Sequence, residues 1–186
     1  MGKQYNSLTE NQIKFIEEQK MFFVATAGPE GKINLSPKGM DSFRVIGPNQ
    51  VIWLNVTGSG NETAAHVALN PRMTIMFNAF DGKPEILRLY GNAVAVHHND
   101  EKWSHFISYF PENRASRQIF DVEIEMVQSS CGFGVPLYEY QGERSLLDSW
   151  ADKKSDEELL EYWETKNKVS LDGLDTGIVE GNLPVD

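Results

Sequence analysis

Residues 51–63 read Val51-Ile52-Trp53-Leu54-Asn55-Val56-Thr57-Gly58-Ser59-Gly60-Asn61-Glu62-Thr63, an apolar strand that runs into a turn of small residues. The residues that follow, up to Asn70, predict a short helix, and Met73 to Phe80 predict the next strand. Backbone N–H groups at the start of a helix have no partner within that helix and therefore bind anions well. We expect this turn to hold an anion, most economically a phosphate.

The composition argues against several classes of partner. The chain has 186 residues, 40% of them hydrophobic, and a formal net charge of −10, so we expect one acidic domain. An acidic chain does not favour nucleic acid or an anionic membrane as a partner. No run approaches the roughly 18 apolar residues of a spanning helix, and the N-terminal residues lack an apolar signal core, which favours a cytoplasmic protein.

Cysteine and histidine usage argues against metal chemistry. Cys131 is the only cysteine, so neither an intrachain disulfide nor a cysteine-rich zinc site can form, and we expect a packed thiol rather than a nucleophile. His97 and His98 are adjacent on an extended segment and point to opposite faces, so they cannot both bind one metal or haem. We expect no metal site.

The rest of the chain predicts a mainly β (α+β) fold. Residues 8–20 have helical periodicity, residues 21–36 predict a hairpin, and short turns join further strands up to about residue 97. Such turns join antiparallel neighbours, which predicts an antiparallel barrel over residues 1–140. Residues 141–186 predict a helical C-terminal extension packed on the same domain, with residues 174–186 along the surface or mobile.

Two other phosphate loops compete for the turn. A P-loop needs a lysine directly after its second glycine, and no lysine follows Gly60 before the predicted helix ends. A dinucleotide fingerprint needs a third glycine where Thr63 stands, and the helix after it is short for a parallel crossover. Both patterns fit poorly.

The order of elements resembles the flavin-binding split barrel of the pyridoxamine 5'-phosphate oxidase family over residues 8–136. The motifs that carry the resemblance are Ser36-Pro37-Lys38, Thr57-Gly58-Ser59-Gly60-Asn61-Glu62-Thr63, Asn70-Pro71, Arg88-Leu89-Tyr90-Gly91, Ser130-Cys131-Gly132-Phe133-Gly134-Val135-Pro136 and Lys166-Asn167-Lys168-Val169-Ser170-Leu171-Asp172-Gly173-Leu174. Together they look like a poorly characterised branch of that superfamily.

The resemblance implies an antiparallel split barrel of about six strands and a homodimer with flavin mononucleotide (FMN) at the subunit interface. It implies that the phosphate lies at the turn and short helix, where pyridoxamine phosphate oxidases have a Ser-Arg-Lys triplet and this chain has Asn61, Glu62 and Thr63. The predicted cofactor-binding residues are Ser36, Lys38, Thr57, Ser59, Gly60, Asn61, Thr63 and Arg88.

The expected function is an FMN-dependent oxidoreductase that acts on an unidentified small substrate, with a nicotinamide cofactor or oxygen as the other redox partner. No residue requires the role of catalytic acid or base. The chain continues with acidic residues where pyridoxamine phosphate oxidases have a basic tail, which argues against that substrate. The alternative is a cofactor-less dimeric binding or stress-related module, which Glu62 and the missing cations favour.

Overall fold

A computed structural model of the protein describes residues 2–183. The strands are β1 Lys3–Tyr5, β2 Phe22–Thr26, β3 Asn34–Lys38, β4 Phe43–Gly47, β5 Gln50–Val56, β6 Arg72–Asn78, β7 Glu85–Val96 and β8 Ser116–Cys131. The helices are α1 Glu10–Glu18, α2 Glu62–Leu69, α3 Trp103–Ile107, α4 Leu146–Ala151, α5 Asp156–Tyr162, a π-helical turn over Trp163–Asn167, and α6 Ile178–Asn182. No helix within residues 2–183 is long and apolar enough to cross a membrane.

The eight described strands form one sheet in the order β3-β2-β6-β7-β8-β5-β4, with β1 paired to the far end of β8. Every neighbouring pair is antiparallel, which confirms the predicted fold class. The predicted hairpin is β2 and β3. The sheet has two strands more than the six or so expected. One of them is β1, which with three residues is too short to give a periodic signal.

β7 and β8 form the longest pairing and bend at one glycine. The register shifts between Tyr90 and Gly91, which marks a bulge. A Cβ at Gly91 would lie 2.0 Å from the carbonyl oxygen of Glu123, so only glycine allows the two backbones to approach this closely.

The core explains why polar side chains become buried beneath the turn. Trp53 and Phe120 stack with ring centroids 4.8 Å apart in the main cluster, whereas Ile52 and Ile119 pack with α3 on the opposite face of the sheet. β5 and β8 are therefore covered on both faces. Polar residues near the end of this pair must find hydrogen-bond partners inside the protein.

Candidate functional site

A cleft of about 620 Å³ lies where β5 leads into α2. Its walls come from β3, from residues 53–63 and from residues 166–171, and Arg117 of β8 forms part of its floor. Pockets of roughly 300–1,000 Å³ are typical for small molecules and cofactors.

The turn from Thr57 to Thr63 begins where β5 separates from β8. Thr57 closes that end of the sheet, because its amide and hydroxyl both donate to the carbonyl oxygen of Ala115, at 2.7 and 2.8 Å. Gly58 lines the cleft, and a Cβ there would meet no protein atom within 4 Å. The small residues of the turn thus leave room for a ligand beside the backbone.

Hydrogen-bond donors of the turn remain without acceptors. Among the described residues, no backbone amide from Gly58 to Thr63 has an acceptor. The side-chain nitrogen Nδ2 of Asn61 is also unpartnered, although that residue is only 2% exposed. Buried donors are normally paired, and a row of free amides at a helix N-terminus suits an anion.

Arg117 supplies a buried positive charge beneath the turn. It is 3% exposed, and its guanidinium donates to the carbonyl oxygen of Gly60 at 2.8 Å and to the side-chain oxygens of Asn167 at 2.8 Å and Asn55 at 3.5 Å. Its Nε has no acceptor in the described part of the chain. Burial lowers the pKa of Arg117 to about 10. Every contact it makes is to a neutral oxygen, so its charge is not neutralised by the protein.

Lys38, at the end of β3, is a second cation in the same cleft. Its ammonium nitrogen lies 4.9 Å from the centre of the Trp53 ring, and no carboxylate within residues 2–183 forms a salt bridge with it. Burial, and secondarily the charge of Arg117, lower the pKa of Lys38 to about 8. Two neighbouring unpaired cations are costly to bury, and an anion in the cleft would remove that cost.

Glu62, the acidic residue of the turn, is held at the edge of the cleft. Both oxygens of its carboxylate accept from the backbone amide of Leu171, at 3.1 Å each. The negative charge is therefore directed at the C-terminal segment rather than at the free amides.

Three contacts join the C-terminal extension to the turn. The indole nitrogen of Trp163 donates to the hydroxyl of Thr57 at 2.8 Å, and Nδ2 of Asn167 donates to the carbonyl oxygen of Gly58 at 2.9 Å. Farther along, Nδ2 of Asn182 donates to the carbonyl oxygen of Arg117 at 2.6 Å. The expectation that residues 174–186 lie on the surface or are mobile is wrong for the described part, because Ile178 is fully buried; residues 184–186 lie outside the described residues.

Seven of the eight predicted cofactor-binding residues line this cleft: Ser36, Lys38, Thr57, Ser59, Gly60, Asn61 and Thr63. Arg88 does not. It lies near the start of β7, where its guanidinium donates to the hydroxyl of Ser130 at 3.3 Å. Within one chain, Arg117 rather than Arg88 is the arginine of the cleft.

Sequence reasoning missed Arg117, Trp163 and Asn167. A cation within an apolar strand such as β8 is itself a signal for Arg117, because a buried charge needs a partner or a ligand. Nothing local indicated Trp163, because its partner lies 106 positions earlier. Asn167 lies within a motif that carries the family resemblance, but its partner, 109 positions earlier, could not be inferred from that motif. The prediction that Cys131 is packed is wrong, since this residue is exposed at the end of β8.

Comparison with known proteins identifies relatives over most of the chain. A family model described as pyridoxamine 5'-phosphate oxidase matches residues 8–131. A pyridoxamine 5'-phosphate oxidase family protein of Aspergillus flavus, ustO, is 35% identical over 188 residues, which cover 91% of this chain and 76% of that protein.

Two solved structures share the fold. A candidate pyridoxamine 5'-phosphate oxidase from Lactobacillus delbrueckii superposes with a TM-score of 0.53 at 20% identity, over 66% of this chain and 94% of its own. HupZ of Group A Streptococcus superposes with a TM-score of 0.51 at 16% identity, over 64% and 92% of the two chains.

Proposed function

Because the chain belongs to the pyridoxamine 5'-phosphate oxidase family, we propose that it is a flavoprotein that binds FMN and acts as an oxidoreductase on a small molecule. The observation that carries this proposal is a pair of unneutralised cations, the half-buried Lys38 and the buried Arg117, beside a run of amides without acceptors. A phosphate monoester supplies the negative charge and the acceptor oxygens that such a cleft lacks.

The cleft provides both hydrogen-bond donors and positive charges for a phosphate. The amides of residues 58–63 and the hydroxyls of Ser59 and Thr63 would donate to phosphate oxygens, and the side chain of Asn61, whose Nδ2 is buried without a partner, would support the turn beside them. Thr63 already accepts from Nδ2 of Asn34 at 3.1 Å, which leaves its own hydroxyl proton free to donate. Lys38 and Arg117 would balance the charge.

When bound, FMN would supply the hydride chemistry through its ring. The protein would orient the ring in the cleft and shield it from water. No side chain of the cleft is assigned the role of acid or base, so we propose that redox exchange with a nicotinamide cofactor or oxygen, rather than proton transfer by the protein, drives turnover.

We also propose that a second copy of the chain covers the open side of the cleft, with the flavin at the subunit interface. Two large apolar side chains that line the cleft are exposed, Val169 by 52% and Leu171 by 79%. Ile33 and Leu35, next to the lining residues Asn34 and Ser36, are exposed by 77% and 65%. An apolar patch of this kind beside a binding site is typical of a protein interface.

We propose the cytoplasm as the location of the protein. The chain has a single cysteine and therefore no intrachain disulfide that would need an oxidising compartment to form.

The alternative of a cofactor-less module depended on Glu62 and on the cations missing from residues 61–63. Glu62 is bonded to the amide of Leu171, and Arg117 provides a cation from below the turn. Neither feature therefore argues against an anionic ligand.

The experiment that tests the proposal is an absorbance spectrum of the purified protein, repeated after addition of FMN and removal of the excess. Flavin bands retained at about one per chain would support it, and reduction of those bands by a nicotinamide cofactor would support the oxidoreductase role. A colourless protein that retains no FMN would refute it.

A further inference from the structure

A buried row of polar side chains leads from the cleft to His97 at the end of β7. Asn55 donates through Nδ2 to Oδ1 of Asn61 at 3.3 Å and to Oε1 of Gln118 at 3.1 Å. The other end of the Gln118 amide, Nε2, lies 2.8 Å from Nε2 of His97. Asn61, Asn55 and Gln118 are between 0 and 2% exposed, so the contacts among these three side chains lack competition from water, whereas His97 is half-buried.

Arg117 fixes the direction of this row. A guanidinium can only donate, so the atom of Asn55 that faces it must be the oxygen Oδ1, and Nδ2 must point at Asn61 and Gln118. Asn61 then presents its oxygen to Asn55 and its unpartnered Nδ2 elsewhere; this residue lines the cleft. Gln118 presents its oxygen to Asn55 and its NH₂ to His97.

The row requires His97 to be neutral and protonated on Nδ1, because Nε2 must offer a lone pair to Gln118. Burial lowers the pKa of His97 below its ordinary value, whereas the carboxylates of Asp100 and Glu180 act in the opposite direction. Asp100 and Glu180 are the charged groups that face the His97 ring. Asp100 follows β7 and accepts a hydrogen bond from the backbone amide of His97. Glu180 belongs to α6, and the backbone of α6 at Gly181 packs against the ring. His98, next along the chain, is also half-buried and bonds to the carbonyl oxygen of Ser116 instead.

We infer that Asn61, Asn55 and Gln118 form a relay that couples protonation of His97 to the orientation of the Asn61 side chain at the wall of the cleft, so that the cleft binds anions less well when His97 takes up a proton. The inference deepens the proposed function by assigning a proton-linked control to the same site. Its first part, the relay, holds in the protein without any ligand.

Protonation of His97 would place an N–H against the NH₂ of Gln118. A rotation of the Gln118 amide by 180° repairs that contact but sets its NH₂ against the NH₂ of Asn55. Asn55 cannot follow, because rotation would turn its NH₂ toward Arg117. One buried contact must therefore be lost, and Asn61 loses the support that orients its Nδ2.

Imidazole and side-chain amide NMR of the ligand-free protein tests the relay. We expect His97 to be the Nδ1-protonated neutral tautomer at pH 7.5, and the Nδ2 signals of Asn61 to shift with the titration of His97. In Gln118→Glu the carboxylate accepts from both His97 and Asn55, so the pKa of His97 should rise by at least one unit. An Nε2-protonated neutral His97, or Asn61 signals that ignore its titration, would overturn the relay.

FMN titrations at pH 5.5 and 7.5 test the effect on the cleft. The phosphate of FMN itself takes up a proton near pH 6, which lowers affinity in every variant. The test is therefore the difference between variants in the loss of FMN affinity from pH 7.5 to pH 5.5. Relative to wild type, His97→Gln and Gln118→Glu should reduce the loss of affinity at pH 5.5 by roughly tenfold, the size of a typical coupling between sites. His105→Gln, which removes an exposed histidine, should leave the loss unchanged.

The two proposals fail in different ways. Equal losses of affinity in wild type and His97→Gln would overturn the coupling while FMN binding stands. If wild type binds FMN at neither pH, the proposed function fails, and the NMR titration of the ligand-free protein still decides whether the relay exists.

Discussion

The guanidinium of Arg117 donates to the side-chain oxygen of Asn167 at 2.8 Å, so that the strand beneath the cleft and the C-terminal segment above it meet at one charged group. Asn167 in turn donates to the carbonyl oxygen of Gly58. The turn, the sheet and the extension are thus held together by a single buried polar network, and changes in any of the three parts should affect ligand binding.

Replacement of Arg117 by methionine should weaken FMN binding by about 10- to 150-fold, because a charge-assisted hydrogen bond contributes about 1.5–3 kcal/mol. A fluorescence titration with FMN measures the effect. Because methionine also removes the cost of a buried charge, we expect the ligand-free protein to remain folded, which a circular dichroism melt checks.

Arg88→Met is the matched comparison for Arg117→Met. Arg88 lies outside the cleft of its own chain, so its replacement should reduce FMN affinity much less. The sequence resemblance implied that Arg88 binds the cofactor. An equal loss of FMN affinity in the two variants would support that role, with Arg88 reaching the cleft of a partner subunit.

Affinity for FMN should fall as the pH rises through about 8, since the amine of Lys38 then loses its charge in the unliganded protein. Stability of the ligand-free protein should change in the opposite direction between pH 8 and 10.5. The unfolded chain, whose lysine has the ordinary pKa of 10.5, holds more protons there, so the free energy of unfolding rises with pH.

Titrations and urea unfolding at pH 7, 8.5 and 10 measure both trends. In Lys38→Met both pH dependences should largely disappear, whereas Lys14→Met, which removes an exposed lysine of α1, should keep them. Affinity that stays constant up to pH 10 in wild type would contradict a role of Lys38 in binding the anion.

Trp163→Phe removes the indole N–H that bonds to Thr57, within a side chain that is 3% exposed. We expect a loss of about 1–3 kcal/mol in the free energy of unfolding, from the lost hydrogen bond and the smaller ring, measured by urea unfolding. Trp150→Phe is the control, because Trp150 is partly exposed and lies at an edge-to-face contact with Tyr162. If Trp150→Phe lowers the free energy of unfolding by as much, the loss comes from packing of the C-terminal helices and not from the hydrogen bond to Thr57.

The double variant Ser59→Ala, Thr63→Ala should weaken FMN binding by about 5- to 150-fold, the range for two neutral hydrogen bonds. The fold should be kept, because no backbone donor depends on these hydroxyls. If the FMN affinity of the double variant equals that of wild type, the phosphate does not bind at the turn. Ser104→Ala, on the exposed side of α3, serves as the control titration.

Local patterns in the sequence were enough to predict most strands along the chain and their antiparallel pairing, and the family resemblance supplied most of the residues of the cleft. The turn at residues 57–63 combines glycines, hydroxyls and a helix start within seven positions, so its chemistry is visible in a short window. The hairpin of β2 and β3, which brings Ser36 and Lys38 to the cleft, follows from alternation and an intervening Gly-Pro turn.

The parts that could not be predicted depend on distant contacts. Arg117 reaches the turn only because β8 pairs with β5, and Asn167 reaches it only because the extension folds back over 109 positions. Residues 174–186 looked polar, but burial of Ile178 and Asn182 comes from docking against β8 and not from any periodic pattern. Propensity does not encode such docking.

The contacts of Trp163 and Asn167 with the turn also set an order of events during synthesis. A ribosome releases the sheet and the turn well before residues 163–171 leave the exit tunnel, and domains fold as their residues emerge. A nascent chain should therefore form the barrel first, with Arg117 still hydrated, and acquire the closed cleft only when the later segment docks. Premature arrest between these two stages would yield a folded but ligand-incompetent barrel.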